Sequence, residues 1–203
     1  MSWKKKGFKG ALRILSHFGA SYLIFKLTDE GQSPKRERKG GGKSGSMSVE
    51  RLAREVLEKA RSKGQTVAVA ESCTGGLLGG ALSSIPGASD VFKGGVICYQ
   101  NEIKIKLLGV NKTDLERVGP VSQIVAEQMA AGAMDKLGAQ IGVGITGFAG
   151  PPAALEPVGL VWVGLAFANN IQSRQWQFGG TRDEVREQAV RAALLMVREN
   201  LNK

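Results

Sequence analysis

Histidine is almost missing from this chain. Its single histidine, His17, lies within the first 46 residues, and residues 47–203 contain none. That absence excludes a Ser-His-Asp or Cys-His site in the main body of the chain. A hydrolase built there has to take its base from Lys, Asp/Glu or Tyr. Cysteine is scarce too. Cys73 and Cys98 form no CxxC pair and have no second ligand cluster, which argues against a zinc site. Two buried thiols suit a reducing cytosol, so a cytoplasmic protein with no metal and no cofactor is expected. Long apolar runs are also lacking. The best candidate, residues 11–27 (ALRILSHFGASYLIFKL), carries Arg13, His17 and Lys26 and is short for a membrane helix. No small-residue cleavage pattern of a secretory signal follows it.

Positive charge is abundant but localised. Eleven of the 28 basic residues and three of the 18 acidic ones fall in residues 1–46, a balance of +8 there and +2 in the rest. The near-neutral remainder gives no electrostatic case for nucleic-acid binding by the domain. The chain therefore reads as a basic leader, 1–46, and one domain, 47–203. Residues 31–46 (GQSPKRERKGGGKSGS) have the composition of a flexible tether. The leader has three readings: sequence upstream of a true start at Met47, a basic segment for membrane surfaces or organelle targeting, or an arm for nucleic acid.

From Ser48 the pattern is helical. Val49, Leu52, Ala53, Val56, Leu57 and Ala60 form one apolar stripe, and Gly64 ends it. TVAVA (66–70) reads as a buried strand, followed by ESCTGG and a helix over LLGGALSSI. This strand–turn–helix step places backbone N–H groups around residues 74–76, a setting that suits a phosphate or carboxylate. GGVICY (94–99) is a second buried strand, and NEIKIKLLG a short helix stopped by Gly109. Ser122 can cap a helix that ends at Gly138. IGVGITG (141–147) is a third strand. Residues 158–168 and 171–178 form a hairpin turned at Asn169-Asn170. Thr181 and Glu184 form a capping box for the last helix. Trp162, Phe167, Trp176 and Phe178 are assigned to the core. The order predicts an α/β fold, a three-layer α/β/α sandwich with a mixed sheet.

Candidate chemistry collects where strands end and helices begin. The first such loop offers Glu71, Ser72 and Thr74. The second offers Tyr99, Asn101, Glu102 and Lys104, and the third Thr146 and the GFAGP turn. Ser89 precedes the second strand. A lysine with a depressed pKa can activate a serine, but composition leaves open which serine reacts.

Read together, AESCTGG (70–76), GASDVFKGGVICYQNEIKIKLLGV (87–110), GPVSQIVAEQMAAGA (119–133), ITGFAGP (145–151), PVGLVWVGLA (157–166) and FGGTRDEVREQAV (178–190) resemble the CinA C-terminal domain family. The resemblance covers residues 49–200 and not the leader. It implies a Ser/Lys amidohydrolase that converts nicotinamide mononucleotide and water to nicotinic acid mononucleotide and ammonia, with a small-molecule nucleotide as ligand and a homodimer as the assembly. By resemblance the nucleophile is Ser89, the base Lys104, and Tyr99 holds the pair. Ser72, Thr74, Gly75, Gly76, Thr146 and Gly147 would lie near the substrate, and Arg182 would meet its phosphate through its guanidinium fork. Three departures stand out. Gln100 replaces a serine beside Tyr99, Gly-Gly-Thr replaces Gly-Asp before Arg182, and the loop GPPAALEPVG is short and poor in glycine. That loop motivates an alternative, a related domain that hydrolyses or only binds another amide or nucleotide. The basic leader motivates another, a non-enzymatic protein of DNA uptake or repair.

Overall fold

The computed structural model describes residues 47–151, 157–168 and 170–203. Expectations for residues 1–46 and 152–156 fall outside this set. The elements run α1 (Val49–Ser62), β1 (Val67–Glu71), α2 (Leu77–Ser83), a 3₁₀ turn (Ala88–Asp90), β2 (Phe92–Ile97), α3 (Asn101–Leu108), α4 (Lys112–Val118), α5 (Gln123–Lys136), β3 (Ile141–Gly147), β4 (Leu160–Phe167), β5 (Asn170–Gln177) and α6 (Arg182–Leu201). The five strands form one mixed sheet in the order β2-β1-β3-β4-β5. The β2, β1 and β3 strands are parallel, and β4 and β5 are added antiparallel. The expected three-layer α/β/α architecture is the one found.

The two faces of the sheet are built differently. One carries α1, α2 and α6 on large side chains: Val67 and Val69, then Ile141, Val143 and Ile145, then Val161, Val163 and Leu165. Leu52 and Leu57 of α1 are fully buried in this layer, and each contributes roughly 1.5–3 kcal/mol by leaving water. On the opposite face α3, α4 and α5 pack against Ala68, Ala70 and Cys98. There α5 rests almost directly on backbone. A Cβ at Gly142, Gly144 or Gly164 would come within 2.0–2.4 Å of the Ala130 or Ala126 carbonyl oxygens. The alternation Ile-Gly-Val-Gly-Ile thus presents bulk to one layer and nothing to the other.

Helix ends follow their sequence signals in most places. Ser48 accepts from the Arg51 N–H at 3.2 Å. Thr181 and Glu184 make the full capping box. Ser122 stands at the α5 N-cap, but its hydroxyl turns back to donate to the Gly119 carbonyl. The α4 helix, capped by Asn111, had no apolar stripe long enough to announce it.

Three expectations change. The second strand starts at Phe92 and lies at the sheet edge, so its burial alternates instead of being complete. The hairpin pairs Phe167 with Asn170, so Asn170 belongs to the second strand and not to the turn where it was expected. Ala168 takes φ +47° there. Trp162, Phe167, Trp176 and Phe178 are half-buried at the margin of the core, because β4 and β5 end the sheet on that side. Among the described residues no helix is long and apolar enough to cross a membrane.

Candidate active site

In this sheet β1 sits between β2 and β3. The chain leaves β1 toward the α2 layer and leaves β2 toward the α3 layer, so the two loops diverge and open a crevice at their carboxyl ends. Such switch points are where open α/β sheets hold ligands. The first loop carries Ser72, and the second leads into α3 with Lys104 one turn inside it.

Among the described residues Lys104 is the largest fully buried side chain, 1% exposed. Its Nζ lies 3.2 Å from Ser72 Oγ, 2.8 Å from the Cys98 carbonyl oxygen and 3.3 Å from that of Tyr99. Burial pulls its pKa below the usual lysine value, because the charged ammonium loses water. Both thiols are driven the other way, to about 11, again chiefly by burial. Cys73 and Cys98 are therefore neutral near pH 7 and contribute no negative charge to hold Lys104 protonated.

The turn after β1 is held internally. Glu71 is buried, and its carboxyl oxygens accept from the N–H groups of Gly76 (3.0 Å), Leu78 (3.1 Å) and Gly79 (2.8 Å). The N-terminus of α2, expected as a seat for a phosphate or carboxylate, is thus filled by the chain's own carboxyl group. Gly75 and Gly76 turn the backbone at φ +59° and +98°, a region in which side chains are strained. The Gly75 N–H donates to Ser72 O and the Leu77 N–H to Thr74 O. Among the described residues this leaves the Thr74 N–H without an acceptor, and the Cys73 N–H faces only its own thiol. The Thr74 hydroxyl is also buried without a partner.

The residues named from sequence separate into two groups. Ser72, Thr74, Gly75, Gly76, Lys104 and Tyr99 gather at the crevice. Ser89 does not. It is exposed in the 3₁₀ turn ahead of β2, whereas Lys104 follows the end of that strand. Six strand residues put about 20 Å between those ends. The parallel pairing makes this unavoidable: Phe92 aligns with Val67, and Ile97 aligns with Glu71. The expected proximity of Ser89 and Lys104 is therefore corrected: the serine beside Lys104 is Ser72.

Tyr99, 57% exposed, contributes its carbonyl to Lys104, while its phenol oxygen accepts from Arg182 Nη2 at 3.4 Å. It meets Lys104 through this backbone carbonyl and not through its phenol. Arg182 also donates to the Gly150 carbonyl and stands exposed above the crevice. Thr146 is buried and donates to Pro120 O at 2.8 Å, which anchors the segment leading into α5. Gly147 is required by close packing, since a Cβ would meet Val161 Cγ2 at 2.7 Å. Glu71, named from the sequence as a candidate of the first loop, serves as the cap of the turn, and a further contributor was not singled out there, Arg186. The spacing of Arg182 and Arg186, four residues apart on one helix face, was the available signal for the latter.

The family model described as the CinA C-terminal domain matches residues 49–201. A CinA-like protein of Rippkaea orientalis is 50% identical over 157 residues, which is 75% of this chain and 38% of that protein. A CinA-like protein of Thermosynechococcus vestitus is 51% identical over 155 residues, covering 74% and 37%. The chain thus spans well under half the length of these relatives. Among solved structures, a competence/damage inducible protein from Agrobacterium tumefaciens superposes with a TM-score of 0.73 at 39% identity, covering 78% of this chain and 100% of that one. One from Enterobacter asburiae gives a TM-score of 0.75 at 30% identity, covering 77% and 99%.

Proposed function

The chain belongs to the CinA C-terminal domain family, and from that premise we propose that it hydrolyses the carboxamide of nicotinamide mononucleotide, with Ser72 as nucleophile and Lys104 as base. The observation that carries this reading is the buried Nζ of Lys104, 3.2 Å from Ser72 Oγ in a domain without histidine.

The donor count around Nζ suits a base. A neutral amine has two hydrogens and one lone pair. The Cys98 and Tyr99 carbonyls accept the two hydrogens, so the lone pair faces the Ser72 hydroxyl. Ser72 Oγ bonds to the carboxamide carbon as its proton passes to Lys104. The N–H of Cys73, beside Ser72, is the donor proposed for the negative charge that grows on the amide oxygen. Lys104 returns the proton to the amide nitrogen, the C–N bond breaks, and ammonia leaves. Water then attacks the ester with Lys104 again as base, which releases the carboxylic acid and restores Ser72.

The substrate identity rests on the family resemblance. Arg182 above the crevice supplies a cation for its phosphate, since the helix terminus below is already capped by Glu71. A nucleotide-sized small molecule is thus the proposed ligand, and a second copy of the chain the proposed partner in solution. The test is ammonia release by the full chain across nicotinamide mononucleotide, nicotinamide riboside, nicotinamide and unrelated amides. Release confined to the nucleotide supports the reading. Release only from amides lacking the phosphate overturns the role of Arg182, and no release from any overturns the hydrolase reading.

A further inference from the structure

Arg186 lies on α6, one turn beyond Arg182, and reaches the loop that carries Ser72. Its Nε donates to the Cys73 carbonyl at 3.2 Å and its Nη2 to the Thr74 carbonyl at 3.0 Å. Its Nη1 pairs with Asp183 at 3.2 Å. Asp183 is 89% exposed and Arg186 25% exposed, so the ion pair is screened by solvent and adds little. The two carbonyls are the substantive contacts.

A trans peptide unit points its C=O and N–H in opposite directions. The Cys73 carbonyl and the Thr74 N–H belong to one such unit. Drawing that carbonyl against α6 therefore turns the Thr74 N–H away from α6. Among the described residues this amide has no acceptor, and Thr74 is fully buried, so the bonds to α6 set the loop's course from inside the fold. The other edge of the turn is held by Glu71 through Gly76, Leu78 and Gly79. Only the Cys73–Thr74 segment depends on α6 for its orientation.

From this arrangement we infer that Arg186 is a positioning residue: through the Cys73 and Thr74 carbonyls it fixes the course of the loop that carries Ser72, and with it the Ser72 hydroxyl beside Lys104, without touching substrate itself. The inference rests on Ser72 as the nucleophile. It requires arginine, because a planar fork spans two successive carbonyls whereas a single ammonium does not.

The test compares full-length wild type with Arg186→Lys and Arg186→Met by two readouts. One is steady-state ammonia release from nicotinamide mononucleotide. The other is the rate at which a fluorophosphonate probe labels Ser72, followed by intact mass. Both variants should lose about 10²-fold in kcat with KM within about threefold, and label more slowly by a similar factor. Arg186→Lys should do no better than Arg186→Met. Wild-type kcat in a folded variant overturns the inference, as does an effect confined to KM, which would make Arg186 a substrate contact. Failure of both variants to fold overturns it in favour of a purely structural staple. A wild type labelled at Ser72 that releases no ammonia sinks the substrate reading alone, and the labelling rates then decide the role of Arg186. A wild type neither labelled nor active overturns the nucleophile and this inference together.

Discussion

The two ends of the sheet use polar residues in opposite ways. At the amino end they are exposed. Arg61 donates to the Gly87 carbonyl at 2.7 Å and pairs with Asp90 at 3.4 Å, and Gln140 accepts from the Thr66 backbone. Ser89 belongs to this end. At the carboxyl end of β1 and β3, and on α3 beside it, lie Glu71, Ser72, Thr74, Lys104 and Thr146, all buried. An exposed polar group costs little and can be exchanged, but a desolvated one costs several kcal/mol unless partnered. The domain concentrates that cost where β1 and β2 part, and the same loss of water that destabilises a charge there readies Lys104 to accept a proton.

The contrast can be broken most sharply with the two serines. Ser72→Ala should lower ammonia release by about 10⁴-fold or more, while Ser89→Ala should leave it within about twofold. Equal losses in the two variants would erase the distinction between the ends. Lys104→Met should abolish turnover to a similar extent.

The pH response of the wild type sharpens the same point. The folded-state pKa of Lys104 lies below its unfolded value, so between the two the unfolded chain binds the extra proton. Stability should therefore rise with pH across that window and be flat in this contribution on either side. Denaturant unfolding at several pH values should show the rise in wild type and lose it in Lys104→Met. The kcat/KM profile should have an acid limb, with activity gained as Lys104 loses its proton. Activity that falls as pH rises through this region would contradict a lysine base.

Smaller effects follow from the scaffold. Glu71→Gln replaces an oxygen that accepts a backbone N–H by an amide nitrogen, and should cost about 1–3 kcal/mol in chemical denaturation. Arg61→Ala at the opposite end should cost less than about 1 kcal/mol and leave turnover unchanged. A greater loss from Arg61→Ala than from Glu71→Gln would reverse the comparison.

Much of this was legible beforehand. The apolar stripe of α1, the strand at 141–147, the Thr181–Glu184 box and the α/β/α order are local patterns, and each formed as read. Lys104 was legible as a candidate base because inventory left few others. Its serine was not, since Ser72 and Ser89 are both turn residues next to strands. Only the direction in which β2 runs separates them. The α2 N-terminus misled for a similar reason: a glycine turn at a helix start looks open to an anion until Glu71, five residues before Gly76, is seen folded back beneath it.

By itself, then, the sequence determined what chemistry was available: a domain without histidine, a lysine one turn into a helix, and serines in two turns. The tertiary structure alone decided which of these meet. Parallel pairing of β1 with β2 brings their carboxyl ends together and sends their amino ends about 20 Å away. Packing of α3 then buries Lys104 beside Ser72, while α6 delivers Arg186 to the same loop from more than a hundred residues downstream. Hydrophobic periodicity encodes which face of each element is buried, but it says nothing of which neighbour lies at its end.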